Sequence, residues 1–541
     1  MTTADLLLVD ADVYTVDAAR RWSRGVAVKD GRILAVAADA RELRDLAGPR
    51  TGVRTLQGKM ILPGFQDAHV HAPFAGRYLL HVALHDLHDI DAYRDAIAAY
   101  AHANPRESWI FGGGWHMALF PGGTPTKDLL DDIVPDRPVF IMNRDVHAAW
   151  VNSKALEIGG ITRETPDPWD GRIERSDDGE PSGTLHEGAA YSFADRLLPE
   201  PSTSEWERAI LRSQAYLHSL GITGWQDAWV TPGTQAAYRG LAERGDLTAR
   251  VVGALWWDRH RGLDQVEELV ERRESTGTFR TTSVKIMTDG VLENFTGALL
   301  RPYCDAAGHE TDQSGISYLD HDDLAAAVTA LDARGFQVHM HTIGDRAVRD
   351  ALDACEAART ANGVRDSRHH LAHIQLVQPE DIPRFRRLGV FANCQPQWAQ
   401  SDAQMEELTL PFLGPERAAL QYPFGSLAAG GARLAMGSDW SVSTPNPFEL
   451  IEVAVMRRGI EQREVPPFLP GERLSLPAAV AAFTAGSAAV NFDEVDAGTI
   501  EPGKRADLVV VDRNIFDEPA AVADAKVEAT FVGGIPVYER A

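Results

Sequence analysis

Cysteine is scarce: Cys304, Cys355 and Cys394 are the three in 541 residues, far apart and odd in number. That excludes a disulfide framework and any CxxC redox or zinc motif. No apolar run reaches the roughly 18 residues that a membrane-spanning helix requires. Leu6-Leu7-Leu8-Val9 has no basic stretch ahead of it and is broken by Asp10 and Asp12. It is therefore not expected to act as a secretion signal, and the expected location is cytoplasmic. Basic charge is outweighed, 53 Lys and Arg against 78 Asp and Glu, a net −25. That sign argues against binding nucleic acid or an anionic membrane, and solubility is reason enough for it. Lysine is rare, seven in all. No internal repeat or low-complexity tract is present. What remains is 44% hydrophobic and 24% charged, a globular composition with ample core and more length than one ordinary domain needs.

Both ends of the chain read as short strands. Val26 to Val36 alternates around Asp30-Gly31, the signature of a type I′ hairpin. Ala506–Val511 reads as a strand, and Ala529–Tyr538 as a hairpin around Gly533-Gly534. Neither end can bury a sheet alone, so one small β-sandwich built from residues 1–60 and 487–541 is expected. The middle, 61–486, alternates strands and helices, the pattern of a parallel α/β fold. Expected strands are 60–66, 222–227, 250–256, 284–289, 337–342, 369–374, 391–395 and 433–438, with helices such as 321–334, 345–361 and 447–459. Eight such strands make a (β/α)8 barrel of the TIM type. Two more apolar runs, 109–113 and 138–143, exceed that count. They are assigned to an insertion at about 85–200, after the first barrel strand.

Chemistry concentrates at the strand ends. In Asp67-Ala68-His69-Val70-His71, two histidines at i and i+2 share one face of a strand, as the first two ligands of a divalent transition metal would. Lys285 lies in Val284-Lys285-Ile286-Met287-Thr288-Asp289-Gly290. His339 and His341 fall in the 337–342 strand, His369, His370 and His373 in the next, and Asp439 follows the last. Each has an ordinary alternative: a satisfied core histidine, a helix cap at Asp439, a lysine that snorkels. Together, at successive strand ends, they favour a metal site. Burial lowers a lysine towards the neutral amine, which can capture carbon dioxide. The resulting carbamate is anionic and can bridge two cations.

This set resembles the amidohydrolase superfamily, in its amidohydrolase-3 branch, which includes N-substituted formamide deformylases. The matching segments are Leu62 to His71, Lys285 with Asp289-Gly290, His341 to Ala347, His373-Ile374-Gln375 and Gly437-Ser438-Asp439. Arg144 to Ser153 and Pro502 to Leu508 also match. The resemblance implies that His69, His71 and Asp439 bind one metal, His341 and His373 a second, and N6-carboxylated Lys285 both, the metals being two zinc ions. It implies hydrolysis of a non-peptide C–N bond of a small molecule by a hydroxide bridging the metals, with Asp439 as general base and acid. His339, His369 and His370 fall outside the matched ligands, and Ala72 to Gly76 adds no polar ligand after the paired histidines. A homodimer is implied by the family alone.

The pocket is less legible. His147 and Arg144, in an expected strand-to-helix turn of the insertion, are candidates to orient a carbonyl or carboxylate, with local packing as the alternative. Glu187 matches a family-like segment, with a cap or ion pair as its alternative. Trp115, Trp150, Trp256, Trp257, Trp398 and Trp440 are candidates for apolar walls, of which two or three at most would touch substrate. The same metal site would also serve a cyclic amide, a carbamate or a lactone. A reading of another class is a catalytically inactive binding or regulatory relative.

Overall fold

The computed structural model describes residues 3–541, which form three sheets with helices packed around the central one. The central sheet has eight parallel strands: β1 (Phe65–Val70), β2 (Ile222–Val230), β3 (Arg250–Trp256), β4 (Phe279–Met287), β5 (Gln337–Thr342), β6 (His370–His373), β7 (Phe391–Cys394) and β8 (Arg433–Met436). Each pairs with the next in sequence, giving a near-closed barrel. The gap between β8 and β1 is bridged just past the end of β8. There the Asp439 amide donates to His69 O at 2.7 Å and the His71 amide to Trp440 O at 2.8 Å.

The expected strand over 60–66 divides in two. Met60–Pro63 pairs with Leu508–Val511 in the terminal sheet, whereas β1 starts at Phe65. The hydrogen bonds change sheet between neighbouring residues: the Gly64 amide donates to Asp507 O and the Phe65 amide to Gly221 O. Thr223 lies 2.4 Å from where a Gly64 Cβ would stand, so the crossing point admits no side chain. The apolar run concealed this switch because both halves are buried. The other seven expected strands overlap the observed ones.

The terminal sheet joins both chain ends in eight strands, among them Leu6–Tyr14, Trp22–Lys29, Arg32–Ala37, Leu508–Val511, Val527–Val532 and Ile535–Glu539. Its two hairpins turn on Asp30-Gly31 (φ 49° and 75°) and Gly533-Gly534 (φ 56° and 74°), the positive values a type I′ turn requires. The third sheet, six strands from Val82 to Glu187, contains Ile110–Trp115 and Val139–Asn143, the two runs that exceeded the barrel count.

Barrel helices form where apolar residues recur every three or four positions. Asp345–Asn362 buries Ala347, Val348, Ala351, Leu352, Cys355 and Ala358. His321–Ala333 begins where the Asp320 carboxylate accepts the Asp323 amide at 2.8 Å. All six residues of β5 are buried, so His339 and His341, which share one of its faces, both point into protein. No helix among the described residues is long and apolar enough to cross a membrane.

Candidate metal centre

His69 is the last residue but one of β1, His71 follows the strand at the start of the helix Ala72–Leu80, and His341, His373 and Asp439 stand at or just past the matching ends of β5, β6 and β8. Lys285 lies in β4 opposite His339 of β5. Alternation along parallel strands thus delivers six side chains from distant sequence to one mouth. His373 and Asp439 hold φ of 74° and 57°. Left-handed backbone costs about 1–2 kcal/mol at such residues and clusters where function demands it.

The distances are short. His71 Nε2 is 2.9 Å and His69 Nε2 3.2 Å from Asp439 Oδ1, and His373 Nδ1 is 3.9 Å from Asp439 Oδ2. The His69 ring is centred 5.3 Å from His71 and 4.9 Å from His373, and His341 stands 4.4 Å from His373. His341 Nε2 donates to Gly290 O at 3.1 Å, which leaves Nδ1 as its lone-pair nitrogen.

Burial sets the charges. It pushes His69 down to about 3 and holds His341 and His373 well below the usual imidazole range, so all three are neutral, the form that binds a metal. Burial also lowers Lys285 to about 7, only partly opposed by Asp439. For Asp439 burial acts upwards, but His69 and His71 outweigh it and keep the carboxyl well below its ordinary value.

The residues fit a divalent transition ion. His69 Nε2 and Asp439 Oδ1 are buried and make no hydrogen bond, although they lie 3.2 Å apart. Nitrogen and oxygen ligands sit about 2.0–2.2 Å from zinc, so donors sharing an ion stand near 3 Å from one another. His69, His71 and Asp439 form a group of three donors that all lie within 4.8 Å of one another.

The insertion closes over this mouth. His147 Nδ1 lies 2.9 Å from Glu187 Oε2, and its ring centre is 5.6 Å from that of His341. Burial opposes charge on both, yet their mutual attraction prevails, raising His147 and lowering Glu187. Arg144 donates to Val442 O at 2.9 Å, on the loop that carries Asp439. The segment joins two antiparallel strands, Val139–Asn143 and Ala148–Val151, rather than a strand and a helix.

Trp115 packs inside the insertion. It is fully buried in the core of the insertion with Tyr93 and Trp150, and its Nε1 donates to Ile141 O at 2.9 Å. One aromatic face beside the centre belongs to Trp229, centred 6.3 Å from His71 and stacked 4.7 Å from both Trp256 and Phe74. Trp229 escaped notice because β2 runs to Val230, past the expected end at 227. Trp398 lies 6.2 Å from His373.

Two carboxylates brace these residues from behind. Asp67 accepts the amides of His69 and Ser438 at 3.0 and 2.9 Å, tying β1 to the end of β8. Asp289 accepts the amides of Ala298, Ile343 and Gly344, fixing the turn after His341. Burial raises each to about 7. Their place within the matched motifs was the available signal.

A model of the amidohydrolase family matches residues 53–538. The chain is 32% identical to Protein LONG AFTER FAR-RED 3 of Arabidopsis thaliana, over 99% of this chain and 92% of that one. It is 29% identical to an N-substituted formamide deformylase of Arthrobacter pascens, over 99% and 98%. Among solved structures, an uncharacterized metal-dependent hydrolase from Pyrococcus furiosus superposes with a TM-score of 0.72 at 26% identity, covering 95% of this chain and 99% of the other. Fold, strand-end residues and a match along nearly the whole length agree: this chain belongs to the amidohydrolase family, in its amidohydrolase-3 branch.

Proposed function

We propose that the chain is a metal-dependent hydrolase that cleaves a non-peptide C–N bond in a small molecule, most simply the amide of an N-substituted formamide. The observation that carries this reading is the convergence of His69 Nε2, His71 Nε2 and Asp439 Oδ1 at 2.9–3.2 Å. Lys285, His341 and His373 stand around them. The relative named N-substituted formamide deformylase supports the substrate class.

His69, His71 and Asp439 would hold one divalent ion, His341 and His373 a second, and Lys285, once carboxylated on Nζ, both. Bound zinc supplies Lewis acidity and makes water a nucleophile near neutral pH. Asp439 is the proton carrier: held ionised, it takes a proton from the attacking water and returns it to the leaving nitrogen. Glu187 favours the protonated form of His147, which commits its Nδ1–H to that carboxylate and keeps its Nε2–H to orient the substrate carbonyl. Arg144 is suited to a carboxylate. The stack of Trp229, Trp256 and Phe74 offers an apolar wall to a nitrogen substituent.

A second reading, a binding or regulatory role without turnover, is favoured by the Arabidopsis relative, whose name states no reaction. One experiment separates the readings. Zinc-supplemented protein and D439N are assayed on N-formyl amines, cyclic imides, carbamates and lactones. Turnover of N-substituted formamides, lowered about 100- to 10,000-fold in D439N, is expected. Preference for another ester or amide class would replace the substrate, and bound zinc without any turnover would favour the regulatory reading.

A further inference from the structure

Beneath the donor trio lies a second layer of histidines that the proposed reaction leaves unused. His339 sits two residues before His341 on the same face of β5, His370 opens β6, and both are fully buried. His339 Nε2 is 2.8 Å from His69 Nδ1, with the two rings at 75° to one another. The His339 and His370 rings pack at 4.0 Å. His370 is held in turn by Asn393, whose Nδ2 lies 3.1 Å from His370 Nδ1 and donates to Ala68 O at 2.9 Å. Asn393 cannot flip, because its Oδ1 accepts from Gln395 Nε2 at 2.9 Å.

A neutral imidazole has one N–H and one lone-pair nitrogen. If the proton of His69 sat on Nε2, it would point at Asp439 Oδ1, 3.2 Å away, and use up both donor atoms in one hydrogen bond. For Nε2 to offer its lone pair, the proton must reside on Nδ1. Among the described residues, the hydrogen-bond partner of that Nδ1 is His339 Nε2. Packing against His370, itself fixed by Asn393, keeps the His339 ring where it can accept.

We propose that His339 is a positioning residue of the cation site. By accepting the Nδ1–H of His69 it selects the tautomer, and sets the ring angle, that leave His69 Nε2 free to bind a divalent transition metal. This inference rests on the metal reading of His69, His71 and Asp439. A ligand histidine's second partner is typically worth about 10- to 100-fold in metal affinity.

The test uses full-length protein stripped of metal. Zn²⁺ affinity is measured by competition with a chromophoric chelator, and Co²⁺ absorption in the visible reports the ligand geometry. H339Q and H339M are nearly isosteric, but only the glutamine carbonyl can accept where the imidazole did; H71A is the control. H339Q is expected within about threefold of wild type and H339M about 10- to 100-fold weaker, with an altered Co²⁺ spectrum. H71A should lose binding more severely. Should H339M not fold, H339F keeps a flat ring without an acceptor and takes its place. H339M binding like wild type while H71A fails would overturn the role of His339 and leave the metal reading intact. H71A binding like wild type would overturn the metal reading, and this inference with it.

Discussion

Replacing Lys285 with methionine should make the metal-free protein more stable while disabling the site. The lysine is 1% exposed, and burial lowers it from 10.5 to about 7. Below pH 7 the amine is charged in the folded and unfolded states, and the fold bears the full cost of burying that charge. Between pH 7 and 10.5 the unfolded chain binds more protons than the folded one, so stability rises with pH. Above 10.5 both states are neutral and the cost is gone. At ~1.4 kcal/mol per pKa unit, the amine destabilises the fold by about 4 kcal/mol at pH 7 and about 2 kcal/mol at pH 9. Methionine fills similar space without charge. Urea unfolding of chelated wild type and K285M, in buffer free of carbon dioxide, should show K285M more stable at pH 7 and the gap roughly halved at pH 9. K285M should also take up less zinc and lose turnover, the usual exchange of stability for function at a strained site. Equal stability at pH 7, or a gap unchanged at pH 9, would refute the claim that the fold stores a disfavoured amine here.

Gly437 sits where β8 presses on β1, and a Cβ there would stand 2.5 Å from His69 N and 2.6 Å from His69 Cβ. G437A should therefore cost about 1–3 kcal/mol in thermal unfolding and reduce bound zinc by displacing His69; unchanged zinc content would show that the two strands can part without moving the ligand. W115F should lower stability by about 0.5–1.5 kcal/mol through loss of the hydrogen bond to the Ile141 carbonyl. Its kcat and KM should match wild type, and a raised KM would return Trp115 to the substrate pocket.

Much of the site was legible because barrel strands are short and punctuated. His69 and His71, His341, His373 and Asp439 each follow a buried apolar run, and parallel strands place such positions at one mouth. The terminal hairpins were equally local, since Asp30-Gly31 and Gly533-Gly534 carry the positive φ their turns need. Failures came where one local pattern has two tertiary meanings. Met60–Pro63 and Phe65–Val70 are a single apolar run that serves two sheets. Trp115 and Trp229 look alike in sequence, yet one fills the core of the insertion and the other faces His71.

Residue order alone determined which side chains stand at the strand ends, because side-chain alternation and the run of parallel strands are properties of short stretches of chain. Packing alone decided that His339 meets His69, that His147 meets Glu187 and that β1 begins after Gly64. Those pairs are 270 and 40 residues apart in the chain. No local periodicity encodes a contact between them; it exists only once the barrel and its insertion have brought the two backbones together.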